Sequence, residues 1–174
     1  MRRAGDLEEP VSIRATYVHT NLVAADWRAL AAFYQELFGC VPVPPERDYR
    51  GPELDAGTGL TNTHLRGVHL RLPGCGDGGP TLEIFTYEPL AERGTTAVDR
   101  PGFGHIAFQV DDVAAARTAV LEAGGHAVGE IVTLQTAAGA KVTWCYVTDL
   151  EGNIIELQSW SVEGDARADR EGLT

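Results

Sequence analysis

The chain has 174 residues, enough for one domain or two small, tightly packed halves. Its hydrophobic content of 44% excludes a wholly disordered or fibrous chain. With 14 basic residues against 25 acidic ones the net charge is −11, and Lys141 is the single lysine. A surface this acidic repels a polyphosphate backbone and an anionic bilayer alike, so the expected partner is a small molecule, with no nucleic acid and no membrane.

No apolar run approaches the ~20 residues that span a bilayer. The segment from Met1 to Pro10 runs through Asp6, Glu8 and Glu9 and lacks the apolar core of a signal peptide. Cys40, Cys75 and Cys145 are odd in number, widely spaced and without a C-x-x-C pair. This predicts reduced thiols in a cytoplasmic protein, not a disulfide framework or a zinc–thiolate site.

In chain order, residues 1–12 read as a flexible N-terminal tail, and a first unit spans 13–90. It opens with a strand around His19 (H-T-N-L-V), followed by the helix W-R-A-L-A-A-F-Y-Q-E-L-F. Trp27, Leu30, Phe33, Tyr34, Leu37 and Phe38 recur at helical spacing, with Asp26 as N-cap and Gly39 as the stop. Residues 44–63 read as an insertion. The run G-C-G-D-G-G at 74–79 is a hairpin loop, because the strand P-T-L-E-I-F follows it where a phosphate loop needs a helix. Residues 91–101 form a polar linker.

A second unit, 102–160, repeats the first. His105 stands where His19 stood, with Asp112 seven residues later and Gly125 twenty residues later, as Asp26 and Gly39 follow His19. The intervening V-A-A-A-R-T-A-V-L-E-A is a helix, and N-I-I-E-L-Q supplies a final strand with Glu156 where the first unit has Glu83. Residues 161–174 form a flexible C-terminal tail. Each unit therefore reads as strand, helix and three strands.

Strand alternation orients the polar groups. Ile106, Phe108 and Val110 share one face, while His105, Ala107 and Gln109 share the other; Tyr17, His19 and Asn21 also share a face. Glu83 aligns with Phe85 and Tyr87, away from Leu82 and Ile84, and Glu156 points away from Ile155 and Leu157. Helices pack on the apolar faces, so two imidazoles and two carboxylates point the other way. If the repeats pair about a pseudo-twofold axis, the four converge in a donor set suited to a divalent ion. A lone strand histidine is more often a packing residue. A lone inward glutamate is harder to dismiss, because an unpaired buried carboxylate costs several kcal/mol. His69 is expected to face the cavity beside Arg71. Trp144 and Tyr146 are wall or core aromatics, and His64 and His126 are surface residues.

These segments resemble the vicinal oxygen chelate superfamily, which includes glyoxalase I, methylmalonyl-CoA epimerase, extradiol dioxygenases and antibiotic-resistance proteins. The resemblance rests on V-H-T-N-L-V with its helix, T-L-E-I-F, G-F-G-H-I-A-F-Q-V-D-D-V and D-L-E-G-N-I-I-E-L, and spans roughly residues 15–160. It implies an α+β fold of two tandem βαβββ modules forming a glyoxalase-type half-open barrel around a metal site. By position the metal ligands fall on His19, Glu83, His105 and Glu156, holding one zinc, nickel, cobalt or manganese per chain, with iron the less favoured ion.

The departures narrow the activity. Iron-dependent extradiol dioxygenases of this superfamily use two histidines and one carboxylate, which leaves Glu83 over, and methylmalonyl-CoA epimerases usually carry glutamine at that position. Glyoxalase I matches the ligand set but not the 44–63 segment, and this chain has few lysines to attract glutathione. A valiolone-type cyclitol epimerase is similar in size and in R-G-V-H-L-R-L-P-G.

The reading is a metal-dependent isomerase or epimerase. It moves a proton next to a carbonyl, in a cyclitol ketone or an acyl-CoA thioester, through a metal-stabilised enediolate. Glu83, Glu156 and His69 are the catalytic candidates, with Glu53 and Asp55 in reserve. Arg71, Tyr87, Gln109 and Trp144 are the substrate-contact candidates. The alternatives are a glyoxalase I-like lyase, a ligand-sequestering protein without chemistry, and an iron oxygenase. Superfamily relatives commonly pair, so a homodimer is expected.

Overall fold

The computed structural model describes residues 14–161 apart from Thr95 and Ala138, so the tail expected at 1–12 lies outside the described residues, as does that expected at 161–174 except for Ser161, which ends the last strand. Strand β1 (His19–Val23) leads into helix α1 (Trp27–Phe38), strand β2 (Val41–Arg50), helix α2 (Pro52–Thr58), β3 (His64–Arg71) and β4 (Thr81–Glu88). The second unit is β5 (Ile106–Gln109), α3 (Val113–Glu122), β6 (His126–Gln135), β7 (Lys141–Thr148) and β8 (Ile154–Ser161). Each unit folds into a four-stranded sheet, in the orders β1-β4-β3-β2 and β5-β8-β7-β6.

The equivalence extends to irregularities. The β2–β3 ladder is interrupted between Val43 and Arg47, and the β6–β7 ladder between Val128 and Val132. Both long strands have 10 residues. Part of the stretch read as an insertion is therefore β2 itself; the portion without a counterpart is 51–63, built around α2.

Helix α1 forms where the sequence places it. Asp26 accepts hydrogen bonds from the Arg28 and Ala29 amides, both at 3.0 Å, and Gly39 closes the helix at φ 66°. Trp27, Leu30, Ala31, Phe33 and Tyr34 are its buried residues. In α3, Asp112 caps the Ala115 amide at 3.0 Å, but the helix ends at Ala123. Gly124 takes the positive φ there, and Gly125 is needed for close packing: a Cβ on it would lie 2.3 Å from the Thr148 carbonyl oxygen.

One core joins the two units. Leu70, Leu82 and Ile84 of the first sheet and Val147, Ile155 and Leu157 of the second are all fully buried, each such side chain contributing about 1.5–3 kcal/mol. Phe38 of α1 stacks on Phe108 of β5 with ring centroids 4.1 Å apart. Polar ties reinforce that join. Tyr34 donates to the buried Asp149 carboxylate at 3.0 Å, and Glu151 accepts from the Ala25 and Asp26 amides at 2.7 and 3.2 Å. Among the described residues, no helix is long and apolar enough to cross a membrane.

Candidate functional site

The central strand of each sheet carries the glutamate, and strand register decides what stands beside it. β1 runs parallel to β4 with Asn21 at the level of Glu83, and His19 Nε2 lies 3.4 Å from Glu83 Oε2. β3 runs antiparallel on the other side and puts His69 directly opposite Glu83, Nε2 to Oε1 3.0 Å. Glu83 is buried at 8% exposure, and its ionic partners among the described residues are these two imidazoles. Burial pulls the His69 pKa below its usual value; Glu83 opposes that shift, while Arg47 and His19 add to it. Phe85 packs edge-on against the His69 ring at 5.7 Å.

The second sheet repeats the pattern with one exchange. His105 Nε2 lies 3.2 Å from Glu156 Oε2. The residue opposite Glu156 is Tyr146, where the first sheet has His69. Its phenol hydrogen-bonds the Glu156 carboxylate, and burial, the Glu156 charge and that hydrogen bond all raise its pKa. The Tyr146 ring also packs 5.1 Å from His105, with Trp144 edge-on to it at 4.9 Å.

Where four converging donors are expected, the structure has two separate matched pairs, His19 with Glu83 and His105 with Glu156. Among the described residues, no three His, Cys, Asp or Glu side chains are grouped to hold a metal ion. In-sheet register brings each histidine to its own glutamate, where imidazole–carboxylate contact partners a poorly solvated acid; no register term draws one sheet's pair to the other. His19 and His105 nevertheless line one cavity of about 1010 Å³, lined also by the segment between β4 and β5.

The remaining candidates separate. Arg71 is paired with Asp77 of the 74–79 loop at 3.0 Å. Tyr87 is half-buried opposite Leu65, and Gln109 is exposed beside Gln158. None of these three lines the cavity shared by the two histidines. Both carboxylate oxygens of Asp55 accept loop amides, from Thr63 and Asn62 at 2.8 Å each, which makes it a structural brace. His64 is not a free surface residue: its ring contacts Asp48 at 2.7 Å and Glu88 at 3.3 Å, with Arg50 also in reach.

Tyr146 is the residue that sequence reasoning undervalued. Its signal was present, since in both units the strand before the glutamate strand carries one polar ring flanked by apolar residues (V-H-L and C-Y-V). Hairpin length differs between the units, so only register equates the two positions.

Comparison with known proteins places the fold in a family. The sequence profile of the Glyoxalase/Bleomycin resistance protein/Dioxygenase superfamily matches residues 18–146, most of the chain. The chain belongs to that superfamily. Within and around it, an ethylmalonyl-CoA/methylmalonyl-CoA epimerase of Cereibacter sphaeroides is 27% identical over 141 residues, covering 80% of this chain and 94% of that protein. A glyoxalase family protein from Bacillus cereus superposes with a TM-score of 0.66 at 20% identity, over 89% of this chain and 99% of that one. A glyoxalase I variant from Zea mays gives 0.56 at 18% identity, over 82% of this chain and 45% of that one. These two structures speak to the superfamily fold alone.

Proposed function

We propose that this superfamily member is a metal-dependent epimerase or isomerase that moves a proton on the carbon beside a carbonyl. The observation that carries the reading is the duplicated pair, His19–Glu83 and His105–Glu156, with Glu83 buried against imidazoles and no cationic side chain. Two imidazoles and two carboxylates suit zinc, nickel, cobalt or manganese, and His19, Glu83, His105 and Glu156 would hold the ion. Such an ion, when bound, supplies Lewis acidity that polarises a carbonyl and acidifies the adjacent C–H.

The side chains contribute the rest. Glu83 and Glu156 stand on different sheets, so one can accept a proton from one face of a carbon while the other serves the opposite face. That arrangement is what epimerisation requires. His69, 3.0 Å from Glu83, is held toward its neutral form by burial and can pass the proton onward. Tyr146 orients Glu156 through its hydrogen bond. Trp144 backs that phenol as part of the substrate wall. Similarity to an acyl-CoA epimerase favours an acyl thioester over a neutral cyclitol ketone. Free thiols at Cys40, Cys75 and Cys145 accord with a cytoplasmic location. The exposed apolar residues Val41, Tyr49, Val132 and Leu134 on the edge strands β2 and β6 accord with a homodimer.

The test begins with the metal content of protein purified without chelator, wild type beside His105→Ala, followed by solvent deuterium exchange into acyl thioesters and hydroxyketones. About one zinc, nickel, cobalt or manganese per chain, lost in the variant, together with exchange at the α-carbon, is the expected result. Conversion of a hemithioacetal without α-epimerisation would point to a glyoxalase I-like lyase. Iron with oxygen uptake would point to an oxygenase. Failure to bind metal even on reconstitution would leave a ligand-sequestering protein.

A further inference from the structure

The segment between β4 and β5 carries charge that the proposed proton transfer does not use. Arg93 and Arg100 both line the cavity that reaches His19 and His105. Arg93 is held in place: its Nη2 donates to Thr96 Oγ1 at 2.9 Å and to Asn153 Oδ1 at 3.1 Å, the latter from the turn before β8. Arg100 folds back on the same segment, with Nη1 so close to Gly94 that a Cβ there would lie 2.9 Å from it.

Neither guanidinium has a carboxylate partner within 4.0 Å among the described residues, although Arg28, Arg66 and Arg71 are paired with Glu46, Glu88 and Asp77. Glu151 is the acidic residue of the cavity wall, and its Oε1 is engaged by the Ala25 and Asp26 amides. On a chain of net charge −11, two guanidiniums and two imidazoles thus line one concavity that holds, among the described residues, a single carboxylate, one oxygen of which is already engaged. A cavity of about 1010 Å³ has room for a ligand of coenzyme-fragment size. Guanidinium forks bind phosphate and carboxylate oxygens in paired, charge-assisted hydrogen bonds.

We infer that Arg93 and Arg100 form a subsite for the anionic group, phosphate or carboxylate, of a substrate whose reacting end lies toward His19 and His105. This rests on the proposed function and deepens it: the substrate is an anion anchored away from its reacting carbon, which disfavours a neutral cyclitol. Binding energy from a remote anchor then serves to position the reacting end.

The experiment separates this subsite from the metal reading by using chelator-treated protein. Inorganic phosphate, pyrophosphate and malonate are titrated calorimetrically at low ionic strength into wild type, Arg93→Gln, Arg100→Gln, the double variant and Arg28→Gln as a control at an exposed arginine of α1 outside the cavity. We expect wild-type binding that weakens with added salt, a loss of about tenfold in each single variant and about 100-fold in the double, with the control unchanged. Tighter pyrophosphate binding assigns a phosphoryl group, and tighter malonate binding assigns a carboxylate. Absence of binding to wild type, equal binding to the double variant, or an equal loss in the control overturns the subsite. Metal content and deuterium exchange judge the catalytic reading independently.

Discussion

His69 and Glu83 face each other across the β3–β4 ladder with 3.0 Å between Nε2 and Oε1, and Tyr146 occupies the same register position against Glu156 in the other sheet. The duplicated glutamate therefore has two different cross-strand partners, an imidazole in one half and a phenol in the other. That exchange distinguishes the halves chemically at a place where their strand pairing matches.

Replacing Tyr146 by Phe removes the phenol hydroxyl and keeps the ring against His105 and Trp144. Groups that orient metal-binding side chains typically change affinity by about 10–100-fold. Metal affinity from a competitive chelator titration is therefore expected to weaken by that factor in Tyr146→Phe, with melting temperature little changed. An affinity equal to wild type would show that the hydroxyl does not orient Glu156 for binding.

Gly67, two residues before His69, has no room for a side chain. A Cβ would lie 2.0 Å from the Ile84 carbonyl oxygen and 2.2 Å from Phe85 Cδ1. Gly67→Ala must separate β3 from β4 at the site, and a loss of about 2–3 kcal/mol is expected from overpacking of this kind. Urea unfolding measures it; a loss below about 0.5 kcal/mol would contradict this geometry.

Asp149 joins the two units at the turn before β8. Its carboxylate accepts from the Glu151 and Asn153 amides at 3.0 and 2.8 Å, from Asn153 Nδ2 at 2.7 Å and from the Tyr34 phenol at 3.0 Å. Asp149→Ala strands several donors in a buried place, so a loss of about 3 kcal/mol or more is expected, against about 1 kcal/mol for Tyr34→Phe. Denaturation of both variants checks the order, and a larger loss in Tyr34→Phe would reverse this account.

The His64 cluster sets an acid limit to stability. Hydrogen bonds from His64 are the largest influence holding the Asp48 and Glu88 carboxyls below their ordinary values of 3.8 and 4.5. Groups depressed in the folded state stabilise it above their unfolded pKa, and that stabilisation is lost as pH falls through the folded value. The melting-temperature gap between wild type and His64→Gln is therefore expected to be present at pH 6 and to close as pH drops below about 4. A gap that widens on acidification would refute the assignment.

The helices, their aspartate caps and the faces carrying His19, Glu83, His105 and Glu156 were legible because each depends on local periodicity: a 3.6-residue stripe or a two-residue alternation. Gly125 follows His105 at the spacing with which Gly39 follows His19, yet the positive φ after α3 belongs to Gly124, because a glycine needed for close packing and one needed for positive φ look alike in sequence. His64 looked like a surface residue for a related reason, since Asp48 and Glu88 reach it only across neighbouring strands.

What the sequence alone determined is the duplicated strand–helix–strand pattern, the superfamily to which it leads, and the matched places of His19, Glu83, His105 and Glu156 in the two units. Tertiary structure alone decided that these four side chains stand as two in-sheet pairs, that His69 and Tyr146 hold equivalent places beside the glutamates, and that Arg93 and Arg100 share a cavity with His19 and His105. The physical reason is that alternation tells which way a side chain points, whereas ladder register and the path of the segment between β4 and β5 decide what it meets.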